Sequence, residues 1–260
     1  MRIISIANQK GGCGKTTTAV NLAAALARRS YRVLIIDLDP QGHTTLGLGC
    51  NPEELDVSIY EVLTSSQVSV SKVIMPTYIS GLSLVPSNIL LSGAELELSV
   101  RLGRELILGE ELKMVRGEYE FCIIDCGPSL GMLTINALVA STDVIIPVQV
   151  HYYAMEGLRQ LLDTINIVRG RFHPCKVEIL GILLTFVESR TVLSREIQRQ
   201  MREYFGNLVF DTVIHRAIRL AEAPSAGESI LTYEASSKAA FEYLALADEV
   251  TNGQRKTWTT

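Results

Sequence analysis

The 260-residue chain lacks the features that mark exported, membrane-spanning or strongly basic proteins. No apolar run approaches the roughly 18–20 residues that a spanning helix needs, and no signal-peptide pattern follows Met1. The five cysteines include no CxxC pair, so we expect free thiols in a reducing cytosol, with neither disulfide nor structural zinc. The net charge of −4 excludes bulk basicity as a source of nucleic-acid affinity, so such affinity would need a local patch.

Apolar residues are abundant, at 47% of the chain against 20% charged residues, and this ratio excludes intrinsic disorder. Short β-branched runs alternate with helix-length amphipathic stretches, which is the pattern of βα units feeding a parallel sheet. We therefore predict one α/β domain over residues 1–251 and a flexible tail over 252–260. The domain should be doubly wound, with a mostly parallel sheet flanked by helices.

The predicted elements follow from these runs. Strands are predicted at residues 3–7, 33–37, 82–85, 121–125, 144–148, 179–184 and 209–214. Helices are predicted at residues 15–29, 94–115, 130–140, 155–168, 194–204 and 236–250.

The strongest functional signal is the sequence NQKGGCGKTT at residues 8–17, between the first predicted strand and helix. Its glycines let backbone N–H groups approach phosphate oxygens, and the helix beginning at Lys15 directs its positive dipole end at them. Lys15 would place a positive charge on the β- and γ-phosphates, and the Thr16 hydroxyl would bind Mg²⁺. These residues predict a phosphate-binding loop for a nucleoside triphosphate.

Two further segments place carboxylates at strand ends, where ligands bind in open α/β sheets. The segment VLIIDLDPQG at residues 33–42 carries Asp37 and Asp39. Asp37 is either a group near Mg²⁺ or the polar end of a strand, and the sequence favours neither. In FCIIDCGPS at residues 121–129, Asp125 fits a Walker B carboxylate that holds Mg²⁺ through water.

The loop departs from the pattern G-x-x-x-x-G-K-[ST], because Gln9 replaces the first glycine and Lys10 precedes the others. This K-G-G-x-G-K-T-T arrangement resembles the deviant Walker A loop of the P-loop superfamily of ParA, MinD and the nitrogenase iron protein. The resemblance implies that Lys10 reaches across a nucleotide-sandwich dimer to the partner's phosphates, and that Asp39 orients the attacking water beside Mg²⁺. The nucleotide-binding residues of the loop would then be Lys10, Gly11, Gly12, Cys13, Gly14, Lys15, Thr16 and Thr17.

Segments DPQG at residues 39–42, PVQ at 147–149, YYAMEGL at 152–158 and EAPS at 222–225 resemble chromosomal ParA/Soj partition ATPases. The resemblance extends from residue 3 to about residue 250. It implies a slowly ATP-hydrolysing dimeric switch that binds DNA non-specifically in its ATP state, inside the cytoplasm and on the nucleoid. A ParB-like centromere-binding protein would stimulate hydrolysis.

The nucleotide base is expected to be adenine, because the guanine-reading elements N-K-x-D and T-K-x-D are absent from the sequence. The resemblance implies a base pocket that includes Arg216 and Pro224. His215 stands where the family usually has proline, and Ala217 where asparagine is common. We expect His215 to serve as a local hydrogen-bonding residue rather than as a nucleotide ligand. Gly127 replaces the first of two prolines usual after the Walker B carboxylate.

A local basic patch is predicted between residues 159 and 219, which carry ten basic and six acidic residues. Because Arg195, Arg199 and Arg202 are spaced i, i+4 and i+7, they share one helix face, and Arg190 precedes that helix. With Arg219, they are the candidate DNA-binding residues, and contact would be with phosphates and independent of base sequence. The alternative is an ordinary solvated surface in which Glu196 and Glu203 pair with the arginines.

Two other functions use the same loop. A ParA-like or MinD-like ATPase could position a protein cargo or the division machinery, although the last predicted helix is acidic and so unsuited to a membrane surface. Nitrogenase-type relatives instead bridge an iron-sulfur cluster between subunits. Against that reading, Cys122 and Cys126 lie on one face of a strand, and we expect buried, unreactive thiols.

Overall fold

The computed structural model describes residues 1–151, 156–172 and 175–252. Its β-branched and apolar runs form β1 (Arg2–Ile6), β2 (Val33–Leu38), β3 (Met75–Pro76), β4 (Leu82–Val85), β5 (Phe121–Cys126), β6 (Asp143–Gln149) and β7 (Glu178–Thr185). The seven strands join in the order β3-β4-β2-β5-β1-β6-β7. Only the β3–β4 pair is antiparallel, so the predicted mostly parallel sheet is confirmed.

Strand β1 lies where the direction of chain progression along the sheet reverses. The chain goes first to β2, β4 and β5 on one side of β1, and then to β6 and β7 on the other side. Such a reversal opens a crevice at the carboxyl ends of the strands, where ligands of open α/β sheets bind. The register pairs Asp37 of β2 with Asp125 of β5, so both carboxylates reach this edge side by side.

Helices cover both faces of the sheet, as the doubly wound prediction requires. They are α1 (Lys15–Arg28), α2 (His43–Gly47), α3 (Ile59–Thr64), α4 (Leu91–Leu98), α5 (Ile107–Met114), α6 (Met132–Ala140), α7 (Glu156–Arg171), α8 (Val192–Phe205), α9 (Ile218–Glu222), α10 (Ile230–Tyr233) and α11 (Lys238–Asn252). Short 3₁₀ helices are Pro52–Glu54, Val70–Lys72, Gly206–Leu208 and Ala223–Ala226. Within the described ranges, no helix combines the length and apolarity that crossing a bilayer requires.

The two faces have separate apolar cores because neighbouring side chains on a strand point to opposite sides. Ile4 of β1 joins the core beneath α1 and α11, whereas Ile3 joins the core beneath α3 to α8. Both residues are buried. The continuous apolar runs are therefore those of strands covered on both faces.

The predicted strand at residues 209–214 is wrong. Among the described residues, this segment and the residue after it form isolated bridges, Ile182 to Val209 and Val187 to His215, rather than a continuous ladder. The Phe210 and Ile214 N–H groups donate to the Ile182 and Leu184 carbonyls of β7 (3.0 and 2.9 Å). Between them, Glu249 of α11 accepts from the N–H groups of Asp211 (2.9 Å) and Thr212 (3.0 Å), which interrupts the strand.

The single helix predicted at residues 94–115 is also wrong, because α4 and α5 are separate. Gly103 between them has φ +68°. Asn136 of α6 then donates to the Arg104 carbonyl (2.8 Å) and accepts from the Leu108 N–H (3.2 Å). A tertiary contact thus supplies hydrogen bonds that a continuous helix would otherwise make internally.

Other differences concern element ends and short elements. Helices α2, α3, α9 and α10 and strand β3 were not predicted, because runs of six residues or fewer carry little periodicity. Helix α11 includes Asn252, and the rest of the predicted tail lies outside the described residues. So do residues 152–155, which belong to the YYAMEGL motif and include the predicted first residue of α7.

Arg2 of β1 links this strand to β6 and to helix α11. Its guanidinium donates to both carboxylate oxygens of Asp143 (2.9 and 3.1 Å) and to the Val250 carbonyl (2.6 Å). Asp143 is fully buried. Removing one partner of a buried ion pair leaves a desolvated charge, which is far more destabilising than losing an exposed pair.

We predict that Arg2→Met lowers the free energy of unfolding by about 3 kcal/mol, measured by urea denaturation. Arg29→Met is the matched control, because Arg29 pairs with Asp248 at 2.5 Å where both side chains are about half exposed. That change should cost less than ~1 kcal/mol. Equal effects of the two substitutions would contradict a structural role for the buried pair.

Candidate functional site

The loop between β1 and α1 has the backbone geometry of a phosphate site. Gly12 and Gly14 have φ of +68° and +87°, values that L side chains adopt only with strain. Gly14 is the residue before α1, and no side chain caps the helix. The first N–H groups of α1 are thus free of side-chain partners and point out of the helix end, where an anion would meet them.

Two lysines of this loop lie in different environments. Lys15 is buried, and its Nζ donates to the Lys10 carbonyl at 3.1 Å. Its charge therefore lies inside the loop's curve. The Lys10 side chain is exposed, beside Gly11 and Gly12, where an added Cβ would meet no atom within 4 Å. One lysine therefore lies within the loop, and the other faces outward.

Neighbouring strands anchor the loop from below. Asn8 donates to the carbonyl of Pro147 in β6 (2.7 Å) and accepts from the Lys10 N–H (3.0 Å). Thr185 of β7 donates to the Cys13 carbonyl at 2.8 Å. The Cys13 side chain is fully buried, and burial raises the pKa of its thiol. Only the backbone of Cys13 is thus available to a ligand.

Three buried carboxylates converge beside the loop. Asp37 and Asp125 have no exposed surface, and Asp39 retains 8%. Burial is the largest cause that raises the pKa of Asp125 to about 8, and the charge of Asp37 adds to the shift. The nearby Thr16 and Thr44 hydroxyls oppose it, Thr44 by donating to Asp125 at 2.8 Å.

The donor set fits Mg²⁺. Asp125 Oδ1 is buried and accepts no hydrogen bond among the described residues, and the adjacent Thr16 hydroxyl and Asp39 carboxylate are further hard oxygen donors. In the described part of the chain, no three Asp, Glu, His or Cys side chains form a complete metal shell. That suits Mg²⁺, which keeps several waters and binds through one or two protein oxygens plus phosphate.

Asp37 acts as a structural carboxylate at the end of β2. It accepts from the N–H (2.8 Å) and hydroxyl (2.7 Å) of Thr45 and from the N–H of Asp39 (3.2 Å). Burial raises its pKa to about 6, and these hydrogen bonds oppose the shift. Asp37 therefore holds the turn into α2 in place, which favours the strand-end interpretation.

Asp39 faces the loop that follows β5. Its Oδ1 accepts from the Gln41 N–H at 3.0 Å, and its carbonyl accepts from the Ser87 hydroxyl at 2.8 Å. A Cβ at Gly127 would lie 3.6 Å from the Asp39 carboxylate carbon. A proline ring at this position would approach one side of the Asp39 carboxylate. Glycine leaves that side open.

Two cavities adjoin the start of α1, and Thr17 lines both of them. The smaller, of about 120 Å³, contains Arg216, and the larger, of about 720 Å³, contains Pro224. The smaller is lined by Gly14, Thr17, Thr185, Phe186, Ile214, His215, Arg216, Ala217, Leu220, Ala221 and Tyr243. The structure thus places Arg216 and Pro224 near the phosphate loop but in different cavities.

Phe186 in the smaller cavity was missed from the sequence. It has φ +54°, a strained conformation for a bulky residue that occurs mainly at functional sites. One ring atom would be 3.5 Å from a Cβ at Gly14. The motif letters around Phe186 carry no sign of this, because positive φ at a non-glycine residue is decided by tertiary packing.

The predicted arginine surface is only partly free. Arg199 pairs with Glu196 and Glu203, both at 2.6 Å, and Arg219 pairs with Glu222 (2.8 Å) and Glu234 (3.3 Å). Arg202 donates to the Phe210 carbonyl at 3.1 Å. Arg190 and Arg195 are exposed and form no ion pair with the residues that the structure describes. Salt bridging and an open basic surface therefore coexist.

The cysteine thiols do not resemble cluster ligands. Cys122 and Cys126 on β5 are buried, and burial raises the pKa of both thiols far above their usual range. Cluster iron binds thiolates, and these environments favour the protonated form. All five cysteines are free thiols.

A glycine-rich loop between a buried parallel strand and a helix, with a buried lysine and acidic strand ends beside it, defines a P-loop nucleotide-binding protein. The AAA domain family model matches residues 1–179. Sporulation initiation inhibitor protein Soj of Bacillus subtilis is 46% identical over 249 residues, which cover 96% of this chain and 98% of Soj. The chain belongs to the Soj/ParA family of chromosome-partitioning P-loop ATPases.

One further relative and one solved structure extend the comparison. Chromosome partitioning protein ParA of Caulobacter vibrioides is 42% identical, with 98% of this chain and 96% of that protein covered. Among solved structures, cobyrinic acid a,c-diamide synthase from Mycobacterium smegmatis, with bound ATP analog and magnesium, superposes with a TM-score of 0.85. It is 38% identical, and the match covers 100% of both chains.

We predict that Asp125→Asn raises the melting temperature of the nucleotide-free protein at pH 8 in EDTA, by an amount equivalent to about 1 kcal/mol or more. The folded-state pKa of about 8 lies above the unfolded value near 3.9. The folded protein thus holds a proton that the unfolded chain releases, and native stability falls as pH rises between these values. The advantage of asparagine should shrink as the pH is lowered towards 5.

Asp211→Asn is the control, because the Asp211 side chain is 96% exposed and its replacement should leave the melting temperature unchanged at every pH. A stability gain from Asp125→Asn that is the same at pH 5 and pH 8 would contradict the buried, destabilising charge.

Proposed function

We propose that this chain is a dimeric ATP-dependent switch that binds DNA without sequence preference in its ATP state and segregates DNA with a ParB-like partner. The observation that carries the proposal is the division between the two loop lysines. Lys15 is buried within the curve of its own loop, whereas Lys10 is exposed beside two glycines that present no side chain. An exposed lysine there is suited to the phosphates bound by a second copy.

ATP and ADP are the proposed nucleotides, with Mg²⁺. The M. smegmatis structure holds an ATP analog and magnesium, and the sequence lacks the guanine-reading elements. The backbone of residues 11–14 would bind the phosphate oxygens, and Arg216, Pro224 and Phe186 would surround the base or ribose. The base would enter one of the two cavities beside Thr17.

Hydrolysis requires positioning and neutralisation of charge rather than a covalent intermediate. Thr16, Asp125 and Asp39 would hold Mg²⁺, which supplies positive charge to the β- and γ-phosphate oxygens when bound. Lys15 adds charge from its own subunit and Lys10 from the partner. Asp39, held at Oδ1 by the Gln41 N–H, would orient the attacking water with its other oxygen. Since the site is complete only in the dimer, turnover would be slow and limited by association.

Partition is favoured over the diamide synthase activity for which the M. smegmatis protein is named. Identity to Soj is 46%, and identity to the M. smegmatis diamide synthase is 38%. In the ATP-bound dimer the arginine surface would be doubled, so weak phosphate contacts on each subunit would combine. The protein would reside on the nucleoid in that state and leave it after hydrolysis.

We predict that three substitutions separate three steps of this cycle. Lys15→Ala should abolish binding of a fluorescent ATP analogue, because the buried charge is lost. Gly11→Val should retain that binding but prevent ATP-dependent dimerisation, since a Cβ at this position meets no described atom within 4 Å and the side chain would face the partner. Asp39→Ala should accumulate an ATP dimer. Size-exclusion chromatography with light scattering measures the dimer.

Gly117→Val is the matched control for Gly11→Val. Gly117 is likewise exposed, and a Cβ there meets no atom within 4 Å, but it lies before β5 at the opposite edge of the sheet. This variant should dimerise normally. A monomeric Asp39→Ala protein at saturating ATP would contradict the switch.

We predict that Arg190→Ala and Arg195→Ala each weaken ATP-dependent binding to random-sequence DNA and lower the slope of log affinity against log salt by about 1. Arg199→Ala should have a smaller effect, because its guanidinium is already held by two glutamates. Fluorescence anisotropy across a salt series measures both quantities.

Arg116→Ala is the control for charge alone, because Arg116 is exposed and lies in the turn that leads into β5, at the sheet edge away from the loop. An equal loss of DNA affinity in Arg116→Ala and Arg195→Ala would contradict the proposed contact between DNA and α8.

A further inference from the structure

Three side chains form a continuous hydrogen-bonded chain between the smaller cavity and the beginning of α8. His215 Nδ1 lies 2.6 Å from Glu242 Oε1, and His215 Nε2 lies 2.8 Å from the Ser189 hydroxyl. We call Ser189, His215 and Glu242 the His215 brace. It joins the segment after β7, the segment before α9 and helix α11.

The brace fixes the orientation of the imidazole ring. Because a carboxylate only accepts, Nδ1 donates to Glu242, and in the neutral ring Nε2 is then the acceptor for the Ser189 hydroxyl. The His215 N–H also donates to Glu242 Oε2 at 3.0 Å. Both oxygens of Glu242 thus accept from His215, Lys238 Nζ lies 3.6 Å from Oε1, and the Glu242 side chain is only 12% exposed.

One end of the brace supports the wall of the smaller cavity. His215 and Phe186 both line it, and their segments are also joined through backbone hydrogen bonds from Val187 N–H to the Ile214 carbonyl (3.0 Å) and from Arg216 N–H to the Val187 carbonyl (3.1 Å). Phe186 has the strained φ of +54°. A strained residue persists only where its surroundings hold it, and the brace is part of those surroundings.

The other end of the brace supports the start of α8. Ser189 lies two residues before Thr191, whose hydroxyl caps α8 by accepting from the Ser194 N–H at 3.3 Å. The Glu188 N–H donates to the Ser194 hydroxyl at 3.2 Å. Arg190, exposed and unpaired among the described residues, is the next residue after Ser189. Movement of Ser189 would therefore shift Arg190 and the first turn of α8.

We propose that His215 is a positioning residue, which fixes in one arrangement both the cavity wall at Phe186 and the first turn of α8. The inference rests on the proposed function, since it takes the cavity to receive the nucleotide base and α8 to face DNA. It adds a residue that lies in neither the phosphate loop nor the cluster of buried carboxylates. A base in the cavity and DNA on α8 would then depend on the same hydrogen bonds.

The test compares affinity for ATP with affinity for inorganic tripolyphosphate, by competition against a fluorescent nucleotide. Ser189→Ala removes one hydrogen bond at an exposed residue, and Glu242→Gln leaves a single acceptor oxygen where the carboxylate accepted from both the ring and the backbone N–H of His215. Each should weaken ATP binding about five-fold and leave tripolyphosphate binding unchanged, because the phosphate loop is intact. Ser189→Thr, which retains the hydroxyl, should restore the ATP affinity.

The matched control is Glu249→Gln. Glu249 also lies on α11 and also accepts two backbone N–H groups, those of Asp211 and Thr212, but it is not bonded to His215. This variant should keep the wild-type ratio of ATP to tripolyphosphate affinity. Hydrogen exchange of amides 186–195, measured without DNA, should be faster in Ser189→Ala than in the wild type and the control.

An unchanged affinity ratio in both brace variants, or unchanged exchange of amides 186–195, would overturn the proposal. Equal weakening of ATP and tripolyphosphate would do the same, because it indicates damage to the loop. These readouts need no DNA. A wild-type protein that fails to bind DNA would therefore refute that part of the proposed function, while the affinity ratio still decides the brace.

Discussion

Two acidic side chains, Asp37 and Asp125, reach the same sheet edge on neighbouring buried strands. The contacts of the rest of the site determine how these two like charges are stabilised. The parallel register pairs them directly, and neither has contact with solvent. Thr45 satisfies Asp37 with two hydrogen bonds, whereas one oxygen of Asp125 has none within the described structure. A cation beside Asp125 would stabilise the charged form of this carboxylate. The native state is therefore less stable without a cation, at the position where the proposed chemistry needs a carboxylate oxygen free to bind one.

The loop above these carboxylates divides its functions between backbone and side chains. Positive φ at Gly12 and Gly14 directs N–H groups outward, and contacts from β6 and β7 through Asn8 and Thr185 hold the loop rigid. Rigidity matters because preorganised donors lose little free energy to reorganisation when an anion arrives. The exposed Lys10 side chain is the exception, since under the proposed function it would gain a fixed position only when a second copy meets this face.

The sequence-based predictions fail where a side chain from a distant segment makes a hydrogen bond that a regular strand or helix would make between backbone groups. Residues 209–214 have the composition of a strand, but the Glu249 carboxylate of α11 accepts from the N–H groups of Asp211 and Thr212 in its middle. Residues 94–115 have the composition of one helix, but Asn136 bonds to the Arg104 carbonyl within the break and to the Leu108 N–H in the first turn of α5. Phe186 and the Ser189–His215–Glu242 contacts have the same origin, because each joins segments more than 25 residues apart. Periodicity describes neighbours in the chain and contains no information on such pairs.

The sequence by itself determined the sheet class, the phosphate loop with Lys10, Lys15 and Thr16, and the strand-end positions of Asp39 and Asp125. These depend on local patterns, since alternating apolar runs form βα units and glycine spacing determines where backbone donors are free. Only the tertiary structure decided that Lys15 is buried while Lys10 is exposed, and that Arg216 and Pro224 line separate cavities. It also decided that Arg199 is paired while Arg195 has no ion pair within the described part of the chain. Burial and pairing are properties of surfaces brought together from distant parts of the chain, so they exist only once the sheet and its helices have packed.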